Sequence, residues 1–425
     1  MRKKTAKRAA RQALEGLSEG IRQALMPMVA GIAATKTDVM AWVHQTGLAA
    51  LQEVFALDAE SVAGRKGKHQ TDRRIHHWGH SAAELTFGGR RITVDRPRLR
   101  STAGKEVQLP VLSGFRAMDP LPARVLNQVL LGVSTRGYER SLEAAPTAKS
   151  RGTSKSAASR HLVSRMGARM RDHLMRKLDD IQVKALVMDG VLVARHTVVV
   201  ALGILADGTK VPLGLWQGST ENAAVCTSLL QDVLSRGLRI EGRVLCVIDG
   251  GKGLRKAITD VFGEATLVQR CQIHKRRNVR EHLPKSRQKH VDAVMRQAYK
   301  SGSADTARKQ LRSLAASLDA EGHEGAAASV REGLEETLTV LKLRLPATLA
   351  RSFATTNCIE SLLSTVRRVA RNVKRWRGGD MVKRWTAAGV LAAADRFRRV
   401  KGYREMNALC AALTETRIDE KGEAA

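Results

Sequence analysis

The sequence is poor in aromatic and cysteine residues and has no long apolar run. Aromatics make up 3% of its 425 residues, so stacking platforms for single-stranded nucleic acid are in short supply. The five cysteines are widely spaced and odd in number, and no signal peptide is recognised, which predicts a reduced, cytoplasmic protein. The apolar stretch at residues 24–34 contains Pro27 and is far shorter than the roughly 20 residues that cross a bilayer. We therefore expect no membrane partner.

What the sequence has in excess is positive charge. It contains 73 Lys and Arg against 41 Asp and Glu, a formal net charge of +32. Its hydrophobic fraction of 43% excludes a wholly disordered chain, and its length allows two to four domains. Such a charge favours a nucleic-acid partner, double-stranded DNA above all, because binding phosphates releases counterions. A ribosome-associated or merely basic soluble protein is the alternative.

The N-terminal part combines a basic arm, helices and a small β element. Residues 1–11 carry six basic residues and no acid, which is typical of a DNA-contacting arm or of a frayed terminus. Helical spacing follows over residues 13–60. Residues 64–100 predict a β element that turns at Gly88-Gly89. Four histidines precede that turn without a nearby cysteine, so we expect a solvated polar loop there and not a zinc site; they are His69, His76, His77 and His80.

Residues 153–166 resemble the recognition helix of a helix-turn-helix. Ser and Thr residues that can cap a helix are followed by small residues and then by Arg160, His161 and Arg165, a composition suited to reading DNA. Any capped basic surface helix would have the same composition. We expect Arg160 and Arg165 to contact DNA.

From residue 183 the apolar pattern changes to that of strands alternating with helices. The predicted fold class is α/β, a mixed sheet with helices packed on it. The strands are expected at 184–189, 197–205, 210–216, 243–249 and 265–268, and the helices at 222–236 and 253–262. After Cys271 we expect helices and no further strand.

Two of these strands end in an acidic residue. Asp189 stands in VMDG and Asp249 in VIDGG, and a carboxylate at the end of a buried strand needs a cation or hydrogen-bond donors. A single such Asp would be explained by a turn before Gly, but two on adjacent strands favour a shared metal site. Neither glycine-rich nucleotide-binding motif is present in a suitable place, so no ATP is expected.

A third metal ligand is sought among the acids of the helical region, Glu335, Glu336 and Glu360. Glu360 lies in TTNCIES at a helix start. Asn357 three residues before it gives a capping-box-like pattern, so Glu360 has a structural explanation as well. Arg367 follows two helical turns later on the same face, where it is placed to hold a phosphate.

The sequence resembles the mutator-type transposases of bacterial insertion sequences, which belong to the DDE group and have an RNase H-like catalytic core. The resemblance runs from about Gly132 to Arg404. It rests on the order and spacing of five motifs, VMDG, GLWQGSTEN, VIDGGKGL, QRCQIHKRRNV and TTNCIES. It implies that Asp189, Asp249 and Glu360 are the catalytic, metal-binding triad. The 111 residues from Asp249 to Glu360 then imply a mostly helical insertion within the core.

The motif QRCQIHKRRNV contains the C-x-x-H pair of this family, Cys271 and His274. The pair is half of a zinc site without a second half nearby, so a buried structural pair that fixes the start of the insertion is favoured over zinc. Its basic neighbours predict a phosphate track or a solvated helix face; they are Arg270, Lys275, Arg276, Arg277 and Arg280.

The resemblance and the apolar pattern together predict six segments. They are a basic arm and N-terminal helices (1–60), a small β-containing basic segment (61–120), a helix-turn-helix-like DNA-binding region (121–180), the first part of the RNase H-like core (181–270), a helical insertion (271–345), and the completion of the core with basic C-terminal helices (346–425).

The expected function is DNA transposition by metal-dependent phosphoryl transfer. Two Mg²⁺ ions, with Mn²⁺ as a substitute, would support strand cleavage and strand transfer at terminal inverted repeats and target DNA. A homodimer or higher oligomer is expected, because two ends must be joined, in a cytoplasmic, nucleoid-associated protein. A catalytically inactive DNA-binding repressor and a structure-specific nuclease are the alternatives. The tail is expected to hold DNA through Arg367, Arg368, Arg371, Lys374 and Arg375.

Overall fold

The computed structural model describes most of the chain from residue 39 onward. The described ranges are 39–68, 70–142, 150–151, 153–218, 222–263, 266–371 and 373–422. The predicted basic arm at 1–11, the first part of the predicted helical region at 13–38, and His69 lie outside the described residues. The chain divides into two compact units, residues 1–165 and 166–425.

The first unit contains a long β-hairpin with helices packed against it. The Gly88-Gly89 turn joins β1 to β2 as predicted, because both glycines adopt the positive φ that a tight hairpin turn requires. Phe55, Leu99 and Leu112 are fully buried in its core. The elements are α1 (Val39–Ala63), β1 (Ile75–Phe87), β2 (Arg90–Ser101), β3 (Glu106–Val107), α2 (Pro110–Ala117), α3 (Leu121–Leu130) and β4 (Ser150–Arg151).

Two expectations for this region are wrong. The described histidines do not lie on a loop: His76, His77 and His80 are part of β1, and His80 Nδ1 lies 3.0 Å from Asp95 Oδ2. The recognition helix expected within residues 153–166 is longer than that, because α4 extends over Lys155–Met175. After Met166 the apolar residues Met170 and Leu174 of α4 pack on the core of the second unit. The boundary between the two units, after Arg165, therefore falls within α4.

The second unit is built on a five-stranded mixed sheet, so the chain has an α/β fold. The strand order is β7-β6-β5-β8-β9, in which β5, β6 and β7 pair antiparallel, whereas β8 and β9 continue from β5 in parallel. All five predicted strands and both predicted helices are present. The elements are β5 (Val183–Val193), β6 (His196–Leu205), β7 (Lys210–Gly218), α5 (Ala223–Ser235), β8 (Val244–Ile248), α6 (Lys252–Phe262) and β9 (Thr266–Arg270).

Helices cover both faces of this sheet, which is why its central strands are apolar on both sides. One face packs on α5 and α6 through residues such as Leu186 and Met188 of β5. The alternate residues of the same strand, Val187 and Val191, pack on the C-terminal helices. Those helices are α13 (Ala347–Phe353), α14 (Asn357–Ala370), α15 (Gly379–Ala394) and α16 (Met406–Gly422).

Between β9 and α13 the chain is helical, and no strand follows Cys271 among the described residues. This helical segment has a core of its own that includes Val279, Met295 and Leu311. No helix in the described ranges is long and apolar enough to span a bilayer. The helices are α7 (Gln272–Glu281), α8 (Lys285–Lys300), α9 (Ala304–Ala320), α10 (Glu324–Arg331), α11 (Leu334–Thr337) and α12 (Thr339–Lys342).

Candidate metal centre

Two acids predicted to share a site lie at the same edge of the sheet. The parallel strands β5 and β8 are neighbours, and their last paired residues are Val187 and Val247. Asp189 and Asp249 each come two residues later. Because side chains alternate along a strand, Asp189 is on the face of Val187, which α14 covers, and Asp249 directly follows the end of β8. The expectation that Asp189 ends its strand is wrong, because pairing with β6 continues β5 to Val193.

The surroundings of Asp189 are unfavourable for a lone negative charge. Burial, and next the nearby Asp249, raise the pKa of Asp189 from its usual 3.8 to about 6. Glu360 adds a further repulsion, while the Gly190 amide donates a hydrogen bond to Asp189 at 2.8 Å and His274 lowers the pKa. The three carboxylates are therefore close enough to interact, and a cation among them would relieve the repulsion.

Asp249 is held by its own loop. Its Oδ1 accepts a hydrogen bond from the Gly251 amide at 2.8 Å. The loop then enters α6, and the strand that follows α6 returns beside β8, where the Cys271 amide donates to the Ile248 carbonyl at 2.8 Å. Backbone on both sides of Asp249 is thus fixed by hydrogen bonds.

Glu360 lies in the first turn of α14, where Thr356 holds it. The Thr356 hydroxyl donates to Glu360 Oε1 at 2.7 Å, and Thr356 is fully buried. The expected capping box is wrong: α14 begins at Asn357, the N-cap position is Thr356, and no side chain caps the helix. A capping box needs its acid at the third helical residue, whereas Glu360 is the fourth residue after the N-cap Thr356.

Cys271 and His274 lie directly behind Glu360. Thr356 Oγ1 is 3.4 Å from both Cys271 Sγ and His274 Nδ1, and His274 Nε2 is 3.7 Å from Glu360 Oε1. A hydroxyl has one proton, so its donation to Glu360 leaves only lone pairs for the other two partners. Hydrogen bonding to Cys271 raises the pKa of His274. Burial acts to raise the pKa of the Cys271 thiol, but the polar contacts with His274 and Thr356 outweigh burial, so that this pKa is lowered.

Two donor sets therefore share Glu360. The oxygen set with Asp189 and Asp249 suits Mg²⁺ or Mn²⁺. In the second set, the ligand atoms of Cys271, His274 and Glu360 lie within 4.8 Å of one another, and nitrogen and sulfur ligands suit zinc. That second set is the only group of three that meets this distance among the described residues. The other candidate acids are committed elsewhere, Glu335 to Arg308 and Lys342 and Glu336 to Arg255.

The residues predicted to contact DNA differ in how free their side chains are to bind phosphate. Arg160 and Arg165 are exposed on α4 and Arg277 on α7. Arg276 instead forms a bidentate ion pair with Asp292, with an Nη2–Oδ2 distance of 2.6 Å. The remaining five are exposed on α14 or just after it, namely Arg367, Arg368, Arg371, Lys374 and Arg375.

The expected phosphate track is wrong for two of its members. The side chains of Arg270 and Lys275 are only 8% and 1% exposed. Both are directed into the protein and bind Glu332 and neighbouring carbonyls. Counting basic residues in the sequence cannot separate such internal cations from surface ones. Thr356 was missed as well, although its motif was recognised, because a Thr that orients a ligand has no spacing of its own.

Comparison with known proteins identifies the family of this chain. Residues 22–399 match the family model described as "Transposase, Mutator family", further towards the N-terminus than the resemblance seen by motif. A probable transposase for an ISRM3-like insertion sequence element from Sinorhizobium fredii is 31% identical over 52% of this chain and 54% of its own length. The transposase for element IS6120 from Mycolicibacterium smegmatis is 35% identical over 40% of this chain and 50% of its own. The chain spans about half the length of the curated relatives it matches.

Proposed function

This chain belongs to the Mutator family of transposases, and from that premise we propose that it is a DNA transposase that cleaves and joins strands at the ends of an insertion sequence. The observation that carries the proposal is the cluster of three carboxylates, Asp189, Asp249 and Glu360, in which the latter two add to the effect of burial and raise the pKa of Asp189. Family membership supports the reaction class, and the three carboxylates support the location of the proposed active site.

We propose further that the second unit is an RNase H-like core. Its support is the strand order β7-β6-β5-β8-β9, with three antiparallel strands followed by two parallel ones and helices on both faces. The first acid lies within β5, the second directly follows the neighbouring strand β8, and the third is on a helix after the helical insertion. The spacing of the motifs led us to expect this arrangement.

In the proposed mechanism the protein's own task is to hold oxygen ligands in a fixed arrangement. Two bound Mg²⁺ ions, or Mn²⁺ in their place, would activate the attacking oxygen and stabilise the leaving oxygen of an in-line displacement. Asp189 within β5 and Asp249 just after β8 provide ligands from backbone that the sheet fixes, and Thr356 orients Glu360 through its hydrogen bond. Exchange of one phosphodiester for another needs no ATP.

DNA binding is proposed for the exposed cations on two helices. Arg160 and Arg165 on α4 would contact the terminal inverted repeats. The exposed residues on and after α14 would hold DNA close to Glu360, since Arg367 lies two helical turns from it on the same face. Arg276 contributes through its ion pair to the fold of the insertion, so Arg277 is the better candidate on α7. Joining two ends calls for a homodimer or a larger assembly in a cytoplasmic, nucleoid-associated protein.

Incubation with labelled element ends and target DNA tests this proposal. With Mg²⁺ we expect cleavage at the element end followed by joined products, and with Ca²⁺ we expect binding and little or no cleavage. Cleavage without joining would indicate a structure-specific nuclease, and end binding without any cleavage would indicate a repressor. Either result would overturn the proposal.

A further inference from the structure

The guanidinium of Arg270 lies between two glycines from different parts of the chain. A Cβ added to Gly250 would overlap Arg270 Nε and lie 2.6 Å from its Cζ, and one added to Gly333 would lie 2.5 Å from its Nη1. Both glycines have positive φ, +105° and +60°. Gly250 follows Asp249 directly, whereas Gly333 belongs to the helical insertion. The planar group therefore fills a slot that any side chain at either glycine would close.

The insertion holds Arg270 in this slot. Nη2 donates to the Glu332 carboxylate at 3.2 Å and Nη1 donates to the Glu332 carbonyl at 3.4 Å, while Nε is buried without a hydrogen-bond partner among the described residues. The side chain is 8% exposed. Both of its bonded nitrogens thus bind the insertion, and its remaining contact is with the backbone beside Asp249.

Further hydrogen bonds hold residues 329–337 of the insertion to β9 and to the start of α7. Gln269 and Gln272 each donate to the Thr337 carbonyl at 3.0 Å. Lys275 donates to the carbonyls of Ser329 and Glu332 at the end of α10. Residues 329–337 are therefore a rigid support for Arg270.

An ion pair between Arg255 of α6 and Glu336, at 2.6 Å, connects the helix after Asp249 to the same support. The helix that follows the Asp249 loop thus contacts the insertion directly. The basic side chains around the neighbouring cavity of about 500 Å³ face acids, since Lys256 also pairs with Asp260. They serve to join elements and leave little net charge for an anion.

We propose that Arg270 is a positioning residue for the metal centre: held by Glu332 of the insertion, it packs on Gly250 and sets the loop that presents Asp249. This inference rests on the proposed function. It assigns the helical insertion a role in metal binding although the insertion contributes no ligand. Lys cannot replace Arg here, because its ammonium is not planar and cannot fit between two backbones.

The test is Mn²⁺ binding, measured as the loss of the free-ion electron paramagnetic resonance signal on addition of the full chain. Gly250→Ala and Arg270→Ala should each weaken Mn²⁺ binding about 10- to 100-fold, as supporting residues around metal ligands do. Because both disturb one contact, the double variant should be no weaker than Arg270→Ala. Glu332 is half exposed, so Glu332→Gln should fold and weaken binding in the same direction.

Gly322→Ala is the matched control. Gly322 also has positive φ, +79°, but nothing lies within 4 Å of an added Cβ, so it should lower the melting temperature by a few degrees and leave Mn²⁺ affinity unchanged. Folded Gly250→Ala and Glu332→Gln with the affinity of the parent chain would overturn the inference. If the parent chain bound Mn²⁺ no better than Asp249→Asn, the proposed metal centre itself would fail, and the inference with it.

Discussion

Asp189 and Asp249 each stand two residues beyond Val187 and Val247, the last paired residues of two adjacent parallel strands. Strand spacing of about 4.8 Å brings the two carboxylates together without any loop having to fold over them. Burial, and next the repulsion by Asp249, raise the pKa of Asp189 to about 6. A proton or a cation between the acids would relieve this repulsion.

Replacing either acid by Asn should abolish strand cleavage and leave affinity for end DNA almost unchanged. The reason is that a metal ligand acts in the transition state, whereas DNA affinity comes from phosphate contacts elsewhere. Cleavage and gel-shift assays of Asp189→Asn and Asp249→Asn measure the two effects, with Asp260→Asn on α6 as control. Residual cleavage within about tenfold of the parent chain, a barrier change of ~1.4 kcal/mol, would refute the assignment.

The metal-free protein should lose stability as pH rises from about 4 to 6. Asp189 titrates near 6 in the folded chain and near 3.8 when unfolded, so in this window the folded state retains a proton that the unfolded state has released. The loss is at most roughly 3 kcal/mol. Thermal unfolding of Asp189→Asn without metal should lack this component and show a higher melting temperature at pH 7. An identical pH profile for both chains would contradict it.

Metal binding should show the opposite pH dependence. A proton on Asp189 competes with the cation, so affinity for Mn²⁺ should fall about tenfold per pH unit below pH 6 and level off above it. Titration calorimetry at pH 5 to 8 measures this. The same affinity at pH 5 and pH 7 would mean that Asp189 is not a ligand.

Thr356 should matter for catalysis and little for folding. Thr356→Val keeps the shape of a buried side chain but removes the donor to Glu360 Oε1, so cleavage should fall about 10- to 100-fold. Glu360→Gln should reduce cleavage to background with a melting temperature within a few degrees of the parent. Thr365→Val is the control, because its hydroxyl bonds only a carbonyl on the exposed side of α14. Normal cleavage by Glu360→Gln would remove Glu360 from the metal centre.

The cations of α4 and those that follow α14 should be separable by their effect on the DNA sequence preference of binding. Arg160→Ala or Arg165→Ala should cost ~1–3 kcal/mol on the element's own ends if the residue reads a base. Replacing Arg371, Lys374 and Arg375 together by Ala should weaken all DNA alike and lower the salt slope of binding by about three units. Binding isotherms at several salt concentrations distinguish base-reading contacts from phosphate contacts. Parent-like affinity of the Arg160/Arg165 double variant would exclude α4 from the interface.

Strand positions in the second unit could be predicted because each strand contains a short apolar run, and β6 is apolar on both faces. The length of α4 could not be predicted, because its continuation past Met166 depends on packing against the second unit's core and not on local spacing. The histidines on β1 were misjudged for a related reason: pairing with β2 overrides their weak strand preference.

Within the candidate site the sequence indicated the acids but not what supports them. The proximity of Asp189 and Asp249 follows from their places on neighbouring strands and could be predicted. The contact of Arg270 with Gly250 joins residues on different elements, and the Glu332 that holds it comes 62 positions later. Such contacts carry no periodic signal, so a buried Arg was indistinguishable from a surface cation.

We propose that Asp189, Asp249 and Glu360, and not Cys271 with His274, hold the catalytic cation. Anomalous scattering from Mn²⁺ in crystals of the protein with uncleaved end DNA tests this assignment most directly. We expect two peaks roughly 3.5–4 Å apart, bounded by the three carboxylates. A peak at the Cys271 sulfur with none between Asp189 and Asp249 would contradict it.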